Sequence, residues 1–180
     1  MSLKSEPVTL TELAKNSGEL GVLSAKIVDR IDWPGKPAPV ATGPKLTAEE
    51  EKRMAAGEKL YTNFCVGCHL ATGQGTQGGS TDLVASKLVV GNPGVVMRVL
   101  LSGKDGKSGL MPPLGSSMND EQVAAVITYL RRAWGHAATP VAAAEVQEVR
   151  GVTSLRKTPW TDEELSKVPA IFRGGANIAR

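Results

Sequence analysis

The sequence predicts an all-α protein, a helical core with an extension at each end. Three observations carry that expectation. Capping boxes open two stretches of good helix formers, Thr47 with Glu50 ahead of "AEEEKRMAAGEKLYTNF" and Asn119 with Gln122 ahead of "DEQVAAVITYLRRAWG". Apolar residues inside them recur every three or four positions, as Val123, Val126, Ile127, Leu130 and Trp134 do. The intervening stretches, such as "LATGQGTQGGSTDL", are rich in Gly, Ser and Thr and read as loops.

In chain order, residues 1–33 hold two apolar stretches, Val8 to Leu13 and "LGVLSAKIVDRI", and the spacing of Leu20, Leu23, Ile27 and Ile31 predicts one short helix. "WPGKPAPVATGPK" then carries four of the chain's eleven prolines and reads as an extended connector. The boundaries fall at 1–45 for an N-terminal extension and linker, 46–136 for the core domain and 137–180 for a C-terminal helical extension. In the first core helix Met54, Gly57, Tyr61, Phe64, Cys65 and Cys68 form one face. Residues 70–92 read as loop. Asn92 and Pro93 cap a short helix, "PGVVMRVLLS", that Gly103 ends. "GKDGKSGLMPPLGSS" is a second loop, and Gly135 stops the last core helix. Pro140 opens a helix to about Val149, Thr161 with Glu164 caps another, and "RGGANIAR" reads as a frayed end.

Net charge is +3 and the basic residues are scattered, which argues against a nucleic-acid face. Aromatics are only 4% of the chain, so an apolar cofactor is expected to fill part of the interior. No run of 18 apolar residues exists to span a membrane, and the start lacks the apolar core of a secretory signal.

Both cysteines and one of the two histidines stand in "CVGCH", residues 65–69. Three chemistries compete for such a stretch. Zinc would need three or four ligands, and Cys65, Cys68, His69 and His136 are the whole supply of favoured soft ones, with His69 awkwardly adjacent to Cys68. A redox dithiol would follow a buried strand, whereas a helix precedes this one. The third reading is the signature of covalent haem attachment. Two residues between the cysteines let both sulfurs point to one side as thioethers to the haem vinyl groups, and His69 then faces the iron.

The other face of the iron decides function. Met54, Met97, Met111, Met118 and His136 are the candidates. Met54 and Met97 lie inside helices and suit core packing, and His136 suits a cap or surface position. Met111 stands in "SGLMPPLGSS", where two prolines stiffen the loop and glycines allow close backbone approach. It is the expected distal ligand.

"GEKLYTNFCVGCH", "SGLMPPLG" and "NDEQVAAVITYLRRAWG", in that order, resemble class I monohaem cytochromes c over about residues 46–136. The resemblance implies that class I fold around one covalently attached haem c, with iron held by His69 and Met111 and with Cys65 and Cys68 as thioethers. It also implies that the first and last helices cross closely at Gly57 and Tyr61, with Val126 and Tyr129 opposite. One departure from the family pattern is that "TDLVAS" stands where prolines usually supply the carbonyl that orients the proximal histidine; another carbonyl is then needed. The flanks "KIVDRIDWPGKP" and "TPWTDEEL" look like those of C-terminal cytochrome modules in large secreted bacterial dehydrogenase-like proteins. An electron-transfer protein follows, one that is not itself an enzyme and takes electrons from a dehydrogenase domain upstream in the same parent chain or from a partner. A periplasmic or secreted bacterial location follows too, as does a chain excised from a longer exported protein. Lys104 and Lys107 are expected as solvated loop lysines, or as a bias toward an acidic redox partner. The alternative is a haem peroxidase or gas-sensing domain with an open or displaceable sixth site.

Overall fold

Helix α3, Ala48–Phe64, and helix α7, Asp120–Leu130, are capped at the predicted residues and cross where Gly57 leaves room. At the first cap Thr47 Oγ1 accepts from Glu50 N at 3.3 Å while Glu50 Oε2 accepts from Thr47 N at 2.8 Å. Asn119 and Gln122 repeat the exchange at 2.9 and 3.0 Å. At the crossing, a Cβ on residue 57 would run into the Ala125 carbonyl and lie 2.9 Å from Tyr129 Cβ. Gly57 costs α3 about 1 kcal/mol in helix propensity, and the close approach offsets that cost.

This computed structural model describes residues 3–16, 18–36, 43–76, 81–107 and 109–169. Part of the proline-rich connector, part of the loop after the cysteine motif and the predicted frayed end lie outside them. The chain divides into two units, Met1–Val40 and Ala41–Arg180. The first holds two helices where the sequence predicts one, α1 (Val8–Leu13) and α2 (Glu19–Arg30). The end of α2 is closed by Lys36, whose Nζ donates to the Val28 carbonyl at 2.7 Å.

In the second unit the elements after α3 are α4 (Val66–His69), α5 (Lys87–Val90), α6 (Pro93–Ser102), β1 (Lys104–Gly106), β2 (Gly109–Met111), α7, α8 (Ala143–Thr153) and α9 (Asp162–Ser166). Asn92 caps α6 by accepting from Gly94 N at 3.0 Å, with Pro93 in the first turn. Four expectations for this unit need correction. Within residues 70–92, read as loop, Lys87–Val90 form the short helix α5. The Gly-rich loop that carries Met111 contains an antiparallel hairpin, β1 with β2, in which Lys104 pairs with Met111. Helix α7 ends at Leu130 rather than at Gly135; Trp134 and Gly135 form a turn with φ of 54° and 82°. Helix α8 begins at Ala143, after Pro140, and runs past Val149 to Thr153.

The core gathers Tyr61 and Cys65 from the end of α3, Val96, Met97, Leu100 and Leu101 from α6, and Val123, Val126 and Ile127 from α7. Val141, Val146 and Val149 complete it, so the chain beyond residue 137 contributes to the main core. A smaller cluster joins Val95, Val99 and Leu165, with Met111 and Trp160 packed against it.

Candidate haem site

The cysteine motif sits where α3 stops and α4 begins. Cys65 N donates to Tyr61 O at 2.8 Å, and both Cys68 N and His69 N donate back to Cys65 O, at 3.2 and 2.9 Å. The three side chains therefore leave one helical turn, as their spacing requires. Cys65 is buried in the main core, Cys68 is exposed, and the two are not joined in a disulfide. Phe64, predicted on the same face, is instead half exposed. Burial pushes the Cys65 thiol up to about 11, with Cys68 adding to the shift. The motif follows a helix rather than the buried strand that precedes a redox dithiol, which disfavours the redox reading.

His69 is oriented from the loop opposite. Its Nδ1 lies 3.0 Å from the Thr81 carbonyl oxygen. A carbonyl can only accept, so the proton is on Nδ1 and the lone pair on Nε2, as an iron ligand requires. Thr81 thus supplies the carbonyl for which the sequence offers no proline. Its loop is stiffened by Asp82, which accepts from Val84 N and Ala85 N at 2.8 and 3.0 Å, and by Leu83 N donating to Gly73 O at 2.7 Å.

Between motif and loop, Leu70 takes a φ of 60°, uncommon for a branched residue. Tyr61 Oη donates to the Leu70 carbonyl at 2.6 Å and holds it there. Burial raises the Tyr61 phenol further above neutrality, so it remains a donor. Tyr61, Tyr129 and Trp134 make a triangle with ring centroids 5.3 to 5.6 Å apart. A Cβ on Gly73 would lie 2.7 Å from the Trp134 ring, which explains a glycine with φ of 73° at that point.

The distal candidates separate by environment. Met97 is fully buried within α6 and Met118 is nearly so, both inside the main cluster. Met54 is half buried on α3. Of the cap and surface positions expected for it, half-buried His136 takes the cap: its Nδ1 faces Leu130 O at the end of α7 at 2.7 Å and its Nε2 faces Val84 O at 3.0 Å, so both nitrogens already have partners. Met111 ends β2 and packs, half buried, against the same cluster that contains Cys65. Its backbone approaches α6 closely: a Cβ on Gly103, whose φ is 77°, would lie 2.7 Å from Met111 O. Past the prolines, Leu114 N and Gly115 N donate to Leu100 O and Leu101 O at 2.8 and 3.2 Å.

Lys104 departs from its expected role. It is buried, with Nζ 2.7 Å from Asp162 Oδ1, and is neither a solvated lysine nor open to a partner. Lys107 is exposed. The sequence also gave no signal for Arg150, whose guanidinium lies on the Met111 loop, because long-range contacts of an isolated arginine leave no local pattern.

These donors fit a haem. Two thiols one turn apart, an imidazole with a directed Nε2 and a thioether at the border of one core supply soft donors of the right kind. Among the described residues no three of His, Cys, Asp or Glu gather as a bare-ion site, which leaves the zinc reading without a ligand set. No helix of the described residues is long and apolar enough to cross a membrane.

Comparison with known proteins agrees with the geometry. Residues 52–130 match the family described as cytochrome C oxidase, cbb3-type, subunit III. The chain is 31% identical over 129 residues to cytochrome c-552 of Thermus thermophilus, covering 65% of this chain and 86% of that protein. It is 30% identical over 105 residues to the fructose dehydrogenase cytochrome subunit of Gluconobacter japonicus, covering 52% of this chain and 22% of that protein. With a directed histidine next to two thiols and a relative of which this chain covers 86%, the chain belongs to the cytochrome c family of electron-transfer haem proteins.

Proposed function

We propose that this chain carries a single haem c, attached through Cys65 and Cys68, with His69 Nε2 and Met111 Sδ as the axial ligands. Bound there, the haem supplies a one-electron Fe(II)/Fe(III) couple, which a soft thioether ligand shifts toward higher potential. The chain's own part is positional. Thr81 fixes the tautomer and plane of His69, Tyr61 and Trp134 hold the turn that follows it, and the hairpin and prolines present Met111. The observation that carries the reading is the His69 Nδ1 bond to the Thr81 carbonyl, because it directs the other nitrogen as a ligand.

Electrons arrive, on this proposal, from a dehydrogenase that is fused upstream or docks transiently, and leave to a second redox protein. The relative in a fructose dehydrogenase supports that context. On the same proposal, covalent haem attachment implies a periplasmic or extracellular bacterial location.

The test is absorption of the oxidised and reduced holoprotein beside two variants. The parent is expected to be low-spin, with the weak near-infrared sulfur-to-iron band. Met111→Ala should lose that band and become high-spin or exchangeable, and Cys68→Ser should make the haem labile under denaturing conditions. An unchanged ferric spectrum for Met111→Ala would move the distal ligand elsewhere, and a resting high-spin, carbon-monoxide-reactive parent would favour a peroxidase or sensor.

A further inference from the structure

The Met111 segment cannot hold itself. Strands β1 and β2 have three residues each, and an isolated hairpin of that size is marginal in water. An iron–thioether bond is weak, so loop entropy competes directly with ligation. What steadies the segment comes from the far end of the chain, and it grips on both sides of Met111.

On the entry side, residues 160–162 lie along β1. Lys104 and Trp160 form a parallel bridge, with Trp160 N donating to Gly103 O at 3.0 Å and Asp105 N donating to Trp160 O at 2.9 Å. Asp162 then accepts twice, from Lys104 Nζ at 2.7 Å and from Lys107 N at 3.1 Å. The Trp160 ring packs in the small cluster that Met111 also touches, and the Arg156 guanidinium covers it at 3.7 Å.

On the exit side, Arg150 of α8 ties the same loop to the start of α7. Nε donates to Asp120 Oδ1 at 2.7 Å, one terminal nitrogen to Gly115 O at 2.6 Å and the other to Met118 O at 2.8 Å. Charge-assisted bonds to two carbonyls and a carboxylate fix a loop in position and direction.

The geometry points to Arg150 and the Trp160–Asp162 segment as positioning residues for the sixth haem ligand: residues 150–162 brace the Met111 loop and set how readily Met111 yields its place on the iron. The inference rests on Met111 being that ligand. Loosening either clamp should favour the state in which Met111 is off, and an added ligand then binds that state more tightly in apparent affinity.

The experiment titrates imidazole into the ferric holoprotein and follows the shift of the main haem absorption band, and where Met111 is present also the loss of the sulfur-to-iron band, for Asp162→Asn, Arg150→Lys and the parent, each also in a Met111→Ala background. Asp162 is 47% exposed at its side chain, and Arg150→Lys retains the charge, so both variants should fold. The expected result is imidazole binding tightened by about three- to tenfold in each brace variant, the size of one ordinary hydrogen bond lost in a partly exposed clamp, with no change in the Met111→Ala background. An unchanged affinity in the Met111-containing variants, or the same change in both backgrounds, would overturn the brace, since a merely structural residue acts whether or not Met111 is present. The Met111→Ala protein by itself reports separately on the ligand assignment: if its ferric spectrum equals the parent's, the assignment fails before the brace is tested.

Discussion

The bond that orients His69 is made to main chain, and that fixes what substitution can do to it. The Thr81 carbonyl survives any change of side chain that leaves the backbone in place, and the Thr81 side chain forms no hydrogen bond among the described residues. Thr81→Ala should therefore keep the haem spectrum of the parent and its midpoint potential within about 10 mV, well under the roughly 59 mV that a tenfold change in the one-electron equilibrium requires. A redox titration checks this; a shift of a full tenfold equivalent would mean that the side chain, not the carbonyl, sets the proximal field. The same point explains why the sequence could place His69 but not its partner. Imidazole and thiols are chemically singular in this chain, whereas every residue offers a carbonyl. His136 shows the converse: read as a cap or surface residue, it does cap the end of α7, but its second carbonyl, in the loop at Val84, had no sequence signal.

At the scale of elements, caps were legible because they are local. Thr47 with Glu50, Asn119 with Gln122 and Thr161 with Glu164 are read within four residues and form as read. The three-residue strands were not, since a Gly-rich stretch of that length carries no period, and the edge that completes β1 lies at Trp160. Replacing Asn119 by Ala should cost about 1 kcal/mol, seen as a fall in Tm of about 3 °C. The glutamates of the other two boxes add a pH dependence. Backbone donation from Thr47 holds the Glu50 carboxyl below its ordinary 4.5, and donation from Thr161, then the Arg156 guanidinium, does so for Glu164. A carboxyl depressed in the folded state favours folding while ionised. That contribution is complete above the ordinary value and is lost as pH falls through the folded ones. Thermal unfolding should then be flat from pH 7 to about 5 in these contributions and decline below that. Glu50→Gln and Glu164→Gln, which keep an acceptor but cannot titrate, should show a shallower decline; an identical acid profile would assign it to other carboxyls.

At the scale of the molecule, the haem-bearing helices and the residues after 137 share one core. Val141 and Val146 are fully buried, and Val149 nearly so, against α6 and α7. Thr128 Oγ1 of α7 receives Val141 N at 3.1 Å, and Arg131 Nε donates to Thr139 O at 2.8 Å. The sequence marks α8 as a helix but not which face it buries, because its apolar positions resemble those of any surface helix, and so residues 137–180 read as an extension. Burying a valine contributes about 1.5 kcal/mol or more, and three of them amount to a large share of the 5–15 kcal/mol that separates a folded domain from its unfolded chain. Val146→Ala should thus lower stability by about 2 kcal/mol and Tm by about 4–8 °C, in one cooperative transition that the haem absorbance and the far-ultraviolet signal report together. Two separated transitions, with the haem signal unmoved by the substitution, would show that the C-terminal segment folds apart from the haem core; one shared transition makes it part of the structure that holds Met111.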